Sequence, residues 1–350
     1  MKLKEICLNI TDGTHSTVLD CPNGNNYLLS CKNIKSGRVF INKNDRRIDD
    51  KTLLFLRNRT HLELNDVVIT SVGTIGEVAL IDDEPNYEFQ RSVAILKPNQ
   101  MVIHPKYLKY FLMSKYGQAA VKGRIKGAAQ PCLFLNDIRD IDIPMVNMSV
   151  QQHIVNTIGT IDDLIEKKTQ ILKKLEELTK LLYLKHKNQR VGTLTLGESC
   201  DIRTGKLDAN AEEKNGKYPF FTCGQDTLRI NNYAFDCEAI IVAGNGEISV
   251  RYYKGKFNAY QRTYVLSPAK LFYLFLEECK LSINDLKTNS QGSVIKFITK
   301  GMLENIKIVN DNDAIIINQN IGVIYNHILK VRKQLDFLNK IKEKLLSKYF

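Results

Sequence analysis

Apolar residues along two stretches of the chain recur at alternating steps of four and three. In the first stretch they fall at Ile154, Ile158, Ile161, Ile165, Leu172, Leu175 and Leu182, with Lys168 and Thr179 interrupting. In the second they fall at Ile317, Ile321, Ile324, Ile328, Val331, Leu335, Leu338 and Leu345, interrupted by Lys342. One shift of 163 residues superimposes the two series. This is a heptad seam, the pattern by which one long helix packs along another. Neither stretch contains a proline. The first, from about Val150 to Asn188, predicts a helix about 57 Å long at ~1.5 Å per residue.

Ahead of each seam the period changes. Asp66–Leu80 and Glu238–Val250 read as strand, glycine turn, strand, and Gln90–Leu96 and Gln261–Leu266 as short strands. Tyr107–Val121 and Leu271–Lys280 carry helical patterns. The order of motifs is written twice. Gly76-Glu77 matches Gly246-Glu247, Gln90-Arg91 matches Gln261-Arg262, and Pro98 matches Pro268, at separations of 170, 171 and 170 residues. Each half also opens alike, at Leu3–Cys7 and Leu196–Cys200. An internal repeat is read before any other feature. It predicts a mixed α+β chain with two globular α/β domains, 1–149 and 191–311. Two long helical spacers, 150–190 and 312–350, join and separate them. The simplest arrangement packs the two helices antiparallel about a pseudo-twofold axis. The alternatives are that each helix packs on its own domain or on another chain.

Composition narrows the class. A chain of 350 residues suits two domains. With 43% hydrophobic and 25% charged residues it has a globular balance, which excludes a wholly disordered chain. No apolar run approaches the ~18 residues of a membrane span, and the start lacks a secretory pattern, so a cytoplasmic protein off the membrane is expected. The eight cysteines form no C-x-x-C pair. Their even number permits disulfides, but a long chain without a secretory signal is expected to keep them reduced. The excess of 50 Lys+Arg over 38 Asp+Glu points to an anionic partner, nucleic acid first. A merely lysine-rich soluble protein would show the same excess.

Catalytic signatures are missing. Gly73-x-x-Gly76 and Gly244-x-Gly246 lack the dinucleotide and P-loop spacings, and Thr204-Gly205-Lys206 is followed by Leu207 where a P-loop needs Ser or Thr. All three read as tight turns. The six histidines form no metal-ligand pair with a carboxylate at helical spacing. There is no Pro-Asp followed by Glu-x-Lys of the common nuclease metal site, no Asn-Pro-Pro-Tyr or Asp-Pro-Pro-Tyr of amino-methyltransferases, and no Gly-x-Ser-x-Gly elbow. The chain reads as a recogniser without its own catalyst.

The Gly73–Val78 turn, the Gln-Arg strand, and the exit from Ile143-Pro144 into Val150–Asp162 resemble the DNA-specificity subunit of type I restriction–modification systems. The resemblance spans essentially the whole chain and rests on the twice-written order of motifs rather than on any one of them. It implies that each half is a target-recognition domain followed by a helical spacer, and that the two domains read the two parts of a bipartite double-stranded DNA sequence. It implies methyltransferase subunits docked on the spacers, and in some assemblies restriction subunits. S-adenosylmethionine, and ATP with Mg for restriction, would bind those partners, with no cofactor in this chain. Two departures stand out. The second junction, Ile308–Asn318, lacks the proline and paired glutamines of Ile143–Gln152, and the second domain is compact. Two other classes are set against this reading: a stand-alone or degenerate DNA methyltransferase, and a coiled-coil adaptor that does not act on DNA.

If the halves read different sequences, what they share serves fold or phosphate positioning. Arg91 and Arg262 are candidate phosphate clamps, or strand-end arginines bound to carbonyls or a carboxylate. Gln90 and Gln261 have the chemistry to bind adenine edges, but buried structural amides are expected. Base reading is placed in unshared polar loops, at Arg124, Lys126 and Gln130 in the first half and Gln291, Ser293 and Lys296 in the second. Thr11–Ser16 and Arg203–Lys206 are further candidates. On the first long helix, Leu164, Ile171 and Leu178 form a second apolar stripe suited to partner docking. The surrounding lysines, such as Lys167, Lys173 and Lys330, read as a solvated face.

Overall fold

The computed structural model describes residues 1–127, 129–188, 193–288 and 297–350. The chain divides into two compact units, Met1–Lys167 with Leu335–Phe350, and Lys168–Gln334. The two long helices form as Met148–Lys187 and Ala314–Tyr349, and each contributes one end to each unit. Asn147 starts the first by accepting the amide of Val150 on its side chain.

In the first unit, strands Cys7–Asp12, Val93–Pro98, Val67–Thr70 and Val78–Leu80 make an antiparallel sheet in that spatial order. A second sheet orders Arg46–Ile48, Asn26–Leu29 and Tyr87–Phe89, the last pair parallel. Strand Val67–Thr70 is buried on both faces, which is why it reads as an unbroken apolar run. Val67 and Ile69 pack in the core around Tyr107 and Phe111, while Val68 packs beside Phe89 and Ile95.

The second unit repeats the same pairings in one six-stranded sheet, ordered Arg203–Thr204, Thr263–Leu266, Phe235–Ala243, Val250–Ala259, Tyr218–Phe221 and Leu228–Ile230. Here Val250–Ala259 is one strand that pairs antiparallel with Phe235–Ala243 and parallel with Tyr218–Phe221. In the first unit those two pairings belong to separate strands, Val78–Leu80 and Tyr87–Phe89. Between them stand Asp82, Asp83, Glu84 and Pro85. Proline has no amide hydrogen to give a ladder, and it ends strand pairing there.

The duplicated opening is a capping box in each half. Glu5 accepts the amide of Lys2 at 2.9 Å, and Glu198 that of Thr195 at 2.8 Å. Leu3 then donates to the Ile141 carbonyl and Leu196 to that of Ile306, closing each half on its own exit segment. The helix expected over Tyr107–Val121 is two helices, Pro105–Met113 and Lys115–Lys122. Ser114 breaks it, accepting from the Gly117 amide and donating to the Phe111 carbonyl. The helix expected over Leu271–Lys280 runs longer, as Phe272–Thr288.

The long helices pair antiparallel within each unit. In the first, His153 meets Tyr349 and Asp162 bonds Lys342 at 2.6 Å. In the second, Glu176 pairs with Arg332 at 2.7 Å and Thr179 lies beside Tyr325. Ile154, Ile158, Ile321, Ile328 and Val331 of the seam are buried. A side-chain amide ties each long helix to its domain helix. Gln151 accepts the amide of His104, and Asn318 that of Tyr273. The 163-residue shift places Gln151 at Ala314, so the second junction supplies its amide one helical turn later. That substitute is why the missing glutamines cost the second junction nothing visible in packing.

All eight cysteines are free thiols. No helix among the described residues is long and apolar enough to cross a membrane.

Candidate nucleic-acid interface

A tight turn leads into the strand that each half shares. In the first half Val93 donates to the Gln90 carbonyl, and in the second Thr263 donates to that of Tyr260. The neighbouring bonds agree. Gln90 donates to Leu29 as Tyr260 does to Phe221, and the strands pair Val93 with Thr70 as Thr263 with Ala243. The equivalence is therefore by 170 residues throughout, as for Pro98 and Pro268. The two Gln-Arg dipeptides, 171 residues apart, are not structural counterparts. Arg91 corresponds to Gln261, and Ser92 to Arg262. This corrects the expectation that they are one shared element. Hydrogen bonding sets the register, and a one-residue slip between like dipeptides leaves no mark in the sequence.

The early loops, the candidates placed at Thr11–Ser16 and Arg203–Lys206, lie directly against these turns. Gly13 donates to Val93, and Gly205 to Thr263. Arg91 donates its amide to Thr14, and Gln261 to Leu207. The approach is close enough that only glycine fits. A Cβ on Gly13 would lie 2.1 Å from the Phe89 carbonyl oxygen, and one on Gly205 1.8 Å from that of Ala259. Backbone therefore frames each turn while its corner side chains stay outside.

Those corner side chains are Arg91 and Ser92, and Gln261 and Arg262. Arg91, Gln261 and Arg262 are exposed. Neither arginine makes a side-chain hydrogen bond or ion pair among the described residues, so the alternative of arginines bound to carbonyls or a carboxylate does not hold for them. Ser92 accepts the amide of Cys31 and is part of the frame. Gln90 is half-buried, but Gln261 is exposed and donates through Nε2 to Asp208 at 2.8 Å, which corrects the expectation of a buried amide.

Beside the first turn, Thr14–Val18, Leu28, Arg46, Gln90 and Arg91 line a cleft. Its other cationic groups are tied down. Arg46 donates to Asp20 and to the Val18 carbonyl. His15 bonds Asp12 at 2.7 Å, and Arg59 holds the same carboxylate at 2.7 Å. The Arg59–Asp12–His15 chain had no signal in the sequence, because Arg59 lies on the distant helix Asp50–Thr60.

The candidate loops fare differently. Arg124 turns inward and donates to the carbonyls of Ala120 and Asp140 at 3.1 and 2.9 Å. It anchors the loop. Lys126 is exposed and paired with Asp137 at 2.6 Å, and its backbone bridges Cys132. Gln130 is exposed beyond that bridge. Gln291, Ser293 and Lys296 lie outside the described residues. On the first long helix Leu164, Ile171 and Leu178 are exposed at seven-residue spacing. Among the described residues no His, Cys, Asp and Glu cluster has the makeup of a metal site.

The family model described as the type I restriction modification DNA specificity domain matches this chain twice, over residues 1–177 and 188–309. The chain is similar to the specificity subunit of the type I restriction enzyme EcoDI of Escherichia coli, 46% identical over 117 residues, 33% of this chain and 26% of that protein. It is also similar to the specificity subunit of EcoBI of Escherichia coli, 26% identical over 188 residues, 53% of this chain and 39% of that protein. The matched segments thus cover well under half of each curated relative. The fold is like that of the type I restriction–modification S subunit from M. genitalium, with a TM-score of 0.62 at 17% identity over 100% of this chain and 95% of that one.

Proposed function

Because this chain belongs to the type I restriction modification DNA specificity family, we propose that it is the non-catalytic reader of a bipartite, asymmetric DNA target. Residues 1–149 and 191–311 act as the two recognition domains, and residues 150–190 and 312–350 as spacers that set the gap between half-sites. Methyltransferase subunits dock on the spacers and bring S-adenosylmethionine. Restriction subunits, where present, bring ATP and Mg. The chain works in the cytoplasm and binds no cofactor itself.

The observation that carries this reading is the duplicated turn. Two copies of one backbone frame each present unpartnered, exposed arginine to solvent, yet with different side chains at equivalent corners. A shared frame with unlike tips is what reading two unlike half-sites requires. The net charge of +12 suits a polyanion, whose phosphates supply most of the non-specific affinity.

The test is a base-resolved methylome of cells expressing this chain with the methyltransferase subunit encoded beside it, against cells lacking only this chain. A split adenine-methylated motif with unlike halves, present only with the chain, is the expected result. Identical methylomes with both proteins expressed and associated, or a palindromic motif with equal halves, would sink the reading.

A further inference from the structure

Resting on the DNA-reading function proposed above, we propose that the first corner position of the duplicated turn selects a base. Arg91 reads a guanine in one half-site, and Gln261 reads an adenine in the other.

The argument starts from the register. Had Gln-Arg been one shared element, it would have had no means of telling two sequences apart. The 170-residue equivalence puts Arg91 opposite Gln261, so the same backbone site carries two different hydrogen-bonding groups. Their environments leave those groups ready for use. Arg91 has no side-chain partner among the described residues, while the neighbouring Arg46 and His15 are held by Asp20 and Asp12. A guanidinium offers a fork of donors and no acceptor, which fits the paired acceptors O6 and N7 of guanine. Gln261 gives one Nε2 hydrogen to Asp208. Its second Nε2 hydrogen and its Oε1 remain, the donor and acceptor that adenine N7 and N6 require. The Asp208 bond also fixes which way the amide faces.

The frame makes the corner precise. Gly13 and Gly205 press the early loops onto the turns with no room for a Cβ. The second corner position does other work. Ser92 bonds Cys31 within the frame, and the unpartnered Arg262 is left for a phosphate.

The test compares methylomes directed by the full-length chain and its R91Q, R91K and Q261R variants, each expressed with the methyltransferase subunit encoded beside it. Thermal unfolding of each purified chain checks that it folds. The expected result is a change of preference at one position of one half-site: guanine to adenine for R91Q, loss of guanine preference for R91K, and adenine to guanine for Q261R. Each change should be roughly tenfold or more in preference, with the opposite half-site untouched. A motif unchanged in R91Q and Q261R overturns the proposal, whether methylation falls evenly at all sites, as for a phosphate contact, or stays at the original level. If the unsubstituted chain directs no motif, the DNA-reading function itself fails, and the base assignment with it.

Discussion

Tyr325 stands 163 residues after Asp162, and the two residues exchange roles in otherwise matching junctions. In the first unit Tyr110 of the domain helix donates to Asp162 of the long helix at 2.9 Å. In the second unit the long helix supplies the phenol, and Tyr325 donates to the buried Glu277 of its domain helix. The residue from the other long helix differs accordingly. Lys342 bonds Asp162 at 2.6 Å in the first unit, while the corresponding position in the second is the buried Thr179. So the lysine that breaks the hydrophobic seam is the partner of a carboxylate that would otherwise be buried alone.

Removing that carboxylate strands two cations, Lys342 and the half-buried-over Lys109 at 3.7 Å. Breaking a buried pair on one side costs about 3 kcal/mol or more. D162A should therefore lower the unfolding midpoint of the first unit in urea, and leave that of the second in place. In a double-mutant cycle with K342A, the coupling should exceed about 1 kcal/mol.

Acid should act through the same group. Burial by itself raises the Asp162 carboxyl, but Lys342 and Lys109 outweigh it and hold it below its ordinary value of 3.8. A carboxyl depressed in the fold stabilises it fully above the unfolded value, and that stability is lost as the pH falls toward the folded one. The chain should lose first-unit stability on acidification below about pH 4. D162N should flatten that part of the profile, as read by unfolding at a series of pH values.

Gly13→Ala and Gly205→Ala each drive a Cβ into a carbonyl oxygen. Overpacking of this kind costs about 1–3 kcal/mol and shifts the backbone. Each variant is expected to degrade one half-site of the methylated motif and spare the other. Equal damage to both halves from either variant would contradict the separate framing of the two turns.

Arg124 and Lys126 should part company. R124A leaves two main-chain carbonyls without their donor, a loss of about 1–3 kcal/mol seen in thermal unfolding, with the salt dependence of DNA binding unchanged. K126A breaks an exposed pair that contributes little to stability. Where Lys126 contacts a phosphate, it should reduce the slope of log K against log salt by about 1.

Leu164, Ile171 and Leu178 are each about two-fifths exposed on the first long helix. Serine at all three should leave the unfolding profile near that of the original chain. It should abolish co-purification of the methyltransferase subunit if the stripe docks it, and undiminished co-purification would exclude the stripe.

The chain's periodicity determined both long helices and their kinship, because a 3.5-residue apolar repeat has one good solution and a shift of 163 residues maps one seam on the other. Strand–turn–strand patterns and the duplicated openings were legible for the same reason: each is a local choice written in a few adjacent residues. Tertiary structure decided what depends on distant partners. Whether Arg124 faces carbonyls or solvent turns on Asp140, and whether Lys342 is a flaw in the seam or a partner turns on Asp162. The register of the Gln-Arg dipeptides belongs here too. A hydrogen-bonded ladder counts residues from the strand, not from the motif, so only the pairing of Val93 with Thr70 and Thr263 with Ala243 could set Arg91 opposite Gln261.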